Sequence, residues 1–127
     1  MEKSKILIVE DDYDTLTFLN FFLGKKFDLE TCRTDEEFYT AIKKCFYDLI
    51  IMDIAIKGRK NGLQITKELK DSDEYRSIPI LCISAHVMES DKENAFNAGV
   101  DKFLSKPVSN TVLMETINNM IFARQYS

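Results

Sequence analysis

The chain has 127 residues, and its 17 Lys and Arg against 21 Asp and Glu give a formal net charge of −4 at pH 7. This length fits one compact domain and leaves too little chain for a second. The acidic balance offers no basic stripe to a phosphate backbone, so direct binding to nucleic acid is not expected. No apolar run is long enough to span a membrane, so neither a membrane segment nor a signal peptide is expected.

The cysteines Cys32, Cys45 and Cys82 are odd in number and far apart, and no two of them form a C-x-x-C pair. Neither a disulfide framework nor a zinc site is therefore expected. We predict that all three are buried packing residues and that the protein works in a reducing cytoplasm.

Five apolar segments alternate with five helical patterns along the chain. Three of these segments are continuous apolar runs, as in strands buried on both faces of a parallel sheet. The helical patterns carry apolar residues three and four positions apart. The predicted order is strand 6–9, helix 14–23, strand 27–32, helix 34–45, strand 49–52, helix 63–69, strand 78–83, helix 90–98, strand 100–104 and a final helix after Ser109.

Local signals mark the ends of the predicted helices. Thr34 with Glu37, and Ser90 with Glu93, have the spacing of capping boxes, and Ser109 is placed to cap the last helix. Gly24 and Gly99 lie where two helices should end. The buried face of the last helix is predicted to contain Val112, Leu113, Ile117, Met120 and Ile121.

Strands alternating with helices at this spacing predict right-handed βαβ crossovers. The expected fold is therefore α/β, a doubly wound five-stranded parallel sheet covered by helices on both faces. In such sheets the ligand site lies beyond the carboxyl ends of the strands.

Acidic and polar residues follow these predicted strand ends. Asp11 and Asp12 come after the first strand, within the run that begins at Glu10, and Asp53 follows the third. Crowded carboxylates repel one another and attract a hard cation, and Mg²⁺ suits a site of carboxylates, waters and phosphate oxygens best. A divalent metal site is predicted on Asp11, Asp12 and Asp53, with Mg²⁺ as the cofactor and Mn²⁺ as a substitute.

With a metal screening the repulsion, one carboxylate can act as a nucleophile on a phosphoryl donor. Asp53 is the predicted nucleophile because it stands by itself at the centre of the sheet. Lys106 would supply a positive charge to the phosphoryl oxygens, and Ser84 a hydroxyl donor. Catalysis would then be mostly positioning and electrostatics.

The acidic run 10–12, the single Asp53, the pair Ser84-Ala85 and the pair Lys106-Pro107 resemble the receiver domain of bacterial two-component response regulators, of the chemotaxis-regulator type. The match covers essentially the whole chain. It implies a flavodoxin-like fold with strand order 2-1-3-4-5. It also implies one receiver domain over residues 1–127 with no output domain, either a stand-alone protein or part of a longer regulator or hybrid kinase.

The resemblance also implies roles for particular residues. Asp53 would take a phosphoryl group from a histidine kinase or a phosphotransfer protein, and would later lose it by hydrolysis. Asp11 and Asp12 would hold Mg²⁺ together with the backbone carbonyl of Ala55, while Ser84 and Lys106 would bind the phosphoryl group. A cis peptide is implied between Lys106 and Pro107.

The switch implied by the resemblance couples Ser84 to Phe103, and it changes a surface on the fourth helix, fifth strand and fifth helix. That surface would bind a downstream protein or a second copy of the chain. The positions of Ala55 and His86 would tune how fast water attacks the phosphoryl group. Partial burial at a sheet edge is an equal alternative for Phe103, and an incidental exposed side chain is an equal alternative for His86.

One segment departs from the family pattern. Lys57 stands where the family usually has Pro, and the stretch up to Gly62 is one residue longer than usual. Lys57, Arg59 and Lys60 make this loop basic, which is consistent with docking a phosphodonor, although an ordinary solvated loop is the preferred interpretation.

Two other function classes fit parts of the sequence. A phosphatase with an Asp nucleophile uses the pattern D-x-D-x-[TV], which residues 12–16 approach without matching, and the chain is too short for a substrate cap. A flavodoxin-like cofactor binder would need a phosphate loop after the first strand, where this chain has acids. A switching receiver is the preferred interpretation.

Overall fold

The computed structural model describes residues 3–56, 58–86 and 88–126, the last without its side chain. Strands and helices alternate along the described chain, and the strands form one parallel sheet in the order β2-β1-β3-β4-β5. The elements are β1 (Lys5–Val9), α1 (Tyr13–Leu23), β2 (Asp28–Cys32), α2 (Asp35–Ala41), β3 (Leu49–Met52), α3 (Gly62–Asp71), β4 (Ile80–Ser84), α4 (Glu89–Ala98), β5 (Lys102–Ser105) and α5 (Asn110–Tyr126). The predicted α/β fold and the implied strand order are confirmed.

The sheet is buried on both faces because its three central strands carry apolar side chains at consecutive positions. Side chains alternate between the faces of a strand. Leu7 and Val9 therefore lie in a core packed against α2, α3 and α4, whereas Ile6 and Ile8 lie in a core packed against α1 and α5. Helices thus cover both faces of the sheet, and because all of the strands are parallel, their carboxyl ends lie at the same edge.

Most of the predicted helix ends are found where the sequence placed them. The Thr34 hydroxyl accepts from the Glu37 N–H at 3.2 Å, and the Ser109 hydroxyl accepts from the Val112 N–H at 3.1 Å. Gly99 ends α4 in the left-handed conformation, with φ +115°. Asn61 and Gln64 form a reciprocal capping box at the start of α3, which the sequence analysis did not single out.

The predicted extent of the second helix, to Cys45, is wrong, because α2 ends at Ala41. The buried Tyr47 hydroxyl donates to the Ala41 carbonyl at 2.7 Å, and the chain then tightens into a turn in which the Lys44 N–H also bonds to Ala41. Cys45 follows this turn and is exposed, so its predicted burial is wrong as well. Cys32 and Cys82 are buried as predicted, and burial raises the pKa of each thiol to about 12.

Two smaller predictions about helices are also corrected. The capping box at Ser90 is not formed, because α4 begins at Glu89 and the Asp91 carboxylate accepts from the Met88 N–H at 3.1 Å. Val112 is exposed, because the buried residues of α5 recur at Leu113 and Ile117 and then one turn further along.

Candidate functional site

The functional side chains lie at the carboxyl edge of the sheet, as the parallel fold requires. Glu10 follows β1, Asp53 follows β3, Ser84 is the last residue of β4 and Lys106 follows β5. β1 and β3 are paired, so Glu10 and Asp53 emerge side by side at the centre of the edge. Glu10, Asp53 and Ser84 are all buried.

An ion-paired lysine joins two of the strand ends. The Lys106 ammonium lies 2.6 Å from Glu10 Oε1 and 3.2 Å from Asp53 Oδ2. Because both carboxylates are buried, these charge-assisted hydrogen bonds offset part of the cost of removing them from water. The arrangement places one positive charge in contact with the carboxylate of Asp53, the predicted nucleophile.

The pKa values at this centre follow from burial and from the neighbouring charges. Burial, followed by the hydrogen bond with Asp53, raises the pKa of Glu10 from 4.5 to about 7, although Lys106 acts in the opposite direction. Burial acts to lower the pKa of Lys106, but the hydrogen bond to Glu10 and the nearby negative charges outweigh it and raise that pKa. Lys106 therefore remains a full positive charge at neutral pH.

Three carboxylates converge into a group that can hold a metal ion. Glu10, Asp11 and Asp53 each offer one oxygen, and these oxygens lie within 4.8 Å of one another. Hard oxygen ligands with a few carboxylates are the donor set that suits Mg²⁺. The residues present therefore fit the predicted metal.

Asp12, which was predicted to hold the metal, is a helix cap in the structure. Its Oδ2 accepts from the Thr15 N–H at 3.0 Å and from the Thr15 hydroxyl at 2.6 Å, at the N-terminus of α1. These bonds lower the pKa of Asp12. The carboxylates that the structure groups are instead those of Glu10, Asp11 and Asp53. The sequence did carry a signal for the role of Asp12, because an Asp directly before a helical pattern occupies the preferred N-cap position.

The second oxygen of Asp53 contacts the loop that follows it. The Ala55 N–H donates to Asp53 Oδ1 at 3.0 Å. The same loop returns at Gly62, where an added Cβ would lie 2.4 Å from the Asp53 carbonyl oxygen and 2.7 Å from Ile54 Cα. The close approach admits no side chain at Gly62, and it places the end of the loop directly against the Asp53 backbone.

Ser84 and Lys106 reach this edge as predicted, and the Lys106-Pro107 peptide is cis as the resemblance implied. The Ser84 hydroxyl accepts from the His86 N–H at 3.0 Å, and the His86 side chain is exposed. Phe103 lies on β5, half-buried against the core beneath α2, α3 and α4.

A cavity of about 540 Å³ opens beside Asp53. The polar residues of its lining include Glu10, Asp53 and Lys106, and the apolar residues include Phe18 and Val108. The Asp53 carboxylate therefore borders a partly enclosed space with both polar and apolar walls.

The basic loop after Asp53 is only partly free. Arg59 is exposed, whereas the Lys60 ammonium pairs with Glu68 on α3. Lys57 lies outside the described residues, so its place in a docking surface stays a prediction. Among the residues that the structure covers, no helix is both long and apolar enough to cross a membrane.

Comparisons with known proteins agree with this geometry. The family model of the response regulator receiver domain matches residues 6–118. The polar-differentiation response regulator DivK of Brucella anthropi is 30% identical over 121 residues, which are 95% of this chain and 98% of that protein.

Solved structures show the same fold. A two-component response regulator from Clostridium difficile has a TM-score of 0.88 and 27% identity, covering 98% of this chain and 100% of that one. The receiver domain of the sensor histidine kinase PA1611 from Pseudomonas aeruginosa has a TM-score of 0.85 and 24% identity, covering 94% and 98%, and has a magnesium ion coordinated in its active-site cleft. With the family match over most of its length, this chain belongs to the response regulator receiver domain family of two-component systems.

Proposed function

We propose that this receiver takes a phosphoryl group onto Asp53 and works as a phosphorylation switch. Receiver domains are signalling switches that bind Mg²⁺ in an acidic pocket and interact with histidine kinases or phosphotransfer proteins. The observation that carries the proposal is the position of Asp53, buried between the Lys106 ammonium and the Ala55 N–H and beside two further carboxylates.

In the proposed reaction, an Asp53 carboxylate oxygen forms a bond to phosphorus. The bond from phosphorus to the donor's nitrogen or oxygen breaks, and the leaving group keeps that electron pair. Glu10, Asp11, Asp53 and the Ala55 carbonyl would hold a Mg²⁺ ion, whose chemistry would be to supply positive charge to the reacting groups. Mn²⁺ would serve the same purpose.

Lys106 and Ser84 would bind the transferred group. Lys106 already contacts Asp53 Oδ2, so a small movement of its ammonium reaches a phosphoryl oxygen. The buried Ser84 hydroxyl can donate its hydrogen to a second phosphoryl oxygen. Water attack on phosphorus would later return the Asp53 carboxylate and release inorganic phosphate.

The output would be a changed protein surface on α4, β5 and α5. We infer that Ser84 and Phe103 connect the phosphoryl group to that surface, and that Ala55 and His86 set the rate of hydrolysis through access of water. The phosphodonor would be a sensor histidine kinase or a phosphotransfer protein, and the target a downstream protein or a second copy of the chain. The chain itself would work in the cytoplasm.

The test is intact mass after incubation with acetyl phosphate and Mg²⁺. We expect a gain of about 80 Da, the mass of one phosphoryl group, which is lost with EDTA and in Asp53→Asn. Asp48→Asn, at the opposite end of β3, is the matched control and should be labelled like the native chain. Labelling that persists in Asp53→Asn would exclude Asp53 as the acceptor.

Lys106→Ala separates the transfer of phosphate from the switch. This variant should still be labelled, but its phosphorylation should produce a smaller change in the backbone amide spectrum of α4 and β5. A chromogenic phosphate ester tests the phosphatase alternative, and we expect essentially no turnover.

A further inference from the structure

The loop between β3 and α3, which the structure describes at residues 54–56 and 58–61, is contacted by a buried carboxylate on α2. Asp35 is the first residue of α2 and is 5% exposed. Its Oδ2 accepts from the Lys60 N–H at 3.1 Å, and its Oδ1 accepts from the Glu36 N–H at 3.0 Å. A buried carboxylate is costly unless such hydrogen bonds are made, so Asp35 favours one position of the loop backbone.

The loop is shaped to fit this carboxylate. Gly58 has φ +137°, a conformation that other residues rarely adopt. A Cβ added at Gly58 would lie 2.2 Å from Asp35 Oδ1. The loop backbone therefore packs directly on Asp35, at a distance that only glycine permits.

Lys60 is fixed a second time through its side chain. Its ammonium binds Glu68 on α3, and the Tyr39 hydroxyl of α2 donates to the same carboxylate. The ammonium also lies 5.4 Å from the centre of the Tyr39 ring, within the range of a cation–π contact. The middle of the loop is thereby joined to both α2 and α3.

Both ends of the loop are fixed at the nucleophile. Near its start, the Ala55 N–H donates to Asp53 Oδ1 at 3.0 Å. Just beyond its end, the Gly62 N–H donates to the Ile54 carbonyl at 3.1 Å. The described parts of the loop are thus hydrogen-bonded to Asp53 and Ile54 at its ends and to Asp35 through Lys60.

From these contacts we infer that Asp35 is a positioning residue of the phosphoacceptor site. It acts through the loop, keeping the Ala55 N–H on Asp53 and the Ala55 carbonyl where the metal needs it. The inference rests on the proposed function, since Ala55 matters to the metal only if Asp53 is the acceptor. It also explains how a loop one residue longer than the family pattern can retain an ordered site.

The test compares Asp35→Asn and Asp35→Ala with the native chain, and uses Glu36→Gln as the matched control because Glu36 is exposed on the same helical turn. The first measurement is amide hydrogen exchange at Ala55 and Lys60 in metal-free protein. The second measurement is the Kd for Mg²⁺, which is determined from NMR chemical shifts at a temperature well below the Tm of each variant.

We expect Asp35→Ala to speed exchange at both amides and to raise the Kd for Mg²⁺ about tenfold, as the loss of a supporting residue around a metal site typically does. Asp35→Asn keeps the size of the side chain and one acceptor oxygen, so it should remain folded and give an intermediate effect. Glu36→Gln should stay within about twofold of the native Kd, the upper limit for a distant surface change.

A lower Tm with unchanged Ala55 exchange and unchanged Kd would overturn the inference, because Asp35 would then only stabilise the fold. If the native chain neither binds Mg²⁺ nor becomes labelled, the proposed function fails. Exchange at Ala55 still decides the role of Asp35 in that case, because it is measured without metal.

Discussion

The two oxygens of Asp53 lie in different surroundings. Oδ2 faces the ammonium of Lys106, a side chain 53 residues away along the sequence, whereas Oδ1 faces the N–H of Ala55, two residues away. The first contact is an ion pair between strand ends, and the second depends on the path of one loop. We call the Lys106 contact the charge side of the site and the Ala55 contact its backbone side. The charge side can tolerate small displacements, because attraction between charges falls off slowly with distance, whereas the hydrogen bond on the backbone side needs accurate geometry.

The largest expected effect is on the backbone side. Gly62→Ala would place a Cβ against the Asp53 carbonyl oxygen and Ile54 Cα, and backbone atoms cannot move aside as a side chain can. We expect a loss of about 3 kcal/mol in the free energy of unfolding, the upper end for overpacking. Urea unfolding measures it, and Lys67→Ala on the exposed face of α3 is the control. A loss below about 0.5 kcal/mol, the range of ordinary surface changes, would contradict the close approach.

The charge side can be examined through the pH dependence of Glu10→Gln in EDTA. Burial raises the pKa of Glu10 in the folded protein from 4.5 to about 7. The folded state thus holds this proton more tightly, so the stabilisation is complete below pH 4.5 and is lost as pH rises through 7. Relative to Glu10→Gln, the native chain should lose up to about 3 kcal/mol between pH 4.5 and pH 8.

Urea unfolding of both proteins across this pH range measures that loss. Glu74→Gln, an exposed carboxyl in the turn after α3, is the control. A difference between native chain and Glu10→Gln that stays constant with pH would show that Glu10 ionises alike in both states.

Neighbouring aspartates should differ sharply in metal binding. Loss of a residue that only supports a metal ligand costs 10- to 100-fold in affinity, so Asp11→Asn should weaken Mg²⁺ binding about 100-fold. Asp12→Asn should change the Kd little, because Asp12 caps α1 and Asn caps helices nearly as well. Titration with Mg²⁺ measures the Kd of both variants. An equal loss of Mg²⁺ affinity in the two would show that Asp12 also holds the metal.

The smallest expected effect is in the support of the loop. Tyr39→Phe removes the hydroxyl that donates to Glu68 but keeps the ring beside Lys60. We expect less than about 1 kcal/mol in stability and a Kd for Mg²⁺ within about twofold, since a typical hydrogen bond contributes no more. A larger change in Kd would mean that the Lys60 side chain, rather than its N–H bonded to Asp35, holds the loop.

The sequence was informative where charge and hydrophobic pattern decide the structure. Continuous apolar runs identified the central strands, and the parallel sheet then brought Asp53, Ser84 and Lys106 to one edge. The structure brings Glu10 together with Asp11 and Asp53, whereas the predicted group has Asp12 in place of Glu10. Three consecutive acids give no indication of which side chains turn inward. The capping preference of an Asp before α1 was the missing constraint on Asp12.

The loop side of the site could not be predicted from pattern. Asp35 looks like an ordinary acid in the first turn of a helix, and its burial depends on how α2 meets the loop after β3. The position of Gly58 has meaning only once that contact exists. Long-range contacts between a helix end and a loop leave no periodic signal in the sequence, so such supports emerge only from the structure.

The exposed cysteine offers a practical handle. Of the three thiols, Cys45 is at the surface, whereas Cys32 and Cys82 are buried with raised pKa values. Cys45 precedes β3, so it lies at the end of the sheet opposite Asp53. A maleimide dye or a biosensor surface attached there would leave the edge that carries Asp53 open. An air-oxidised sample would form a covalent dimer through the same thiol, one that could be mistaken for a signalling state.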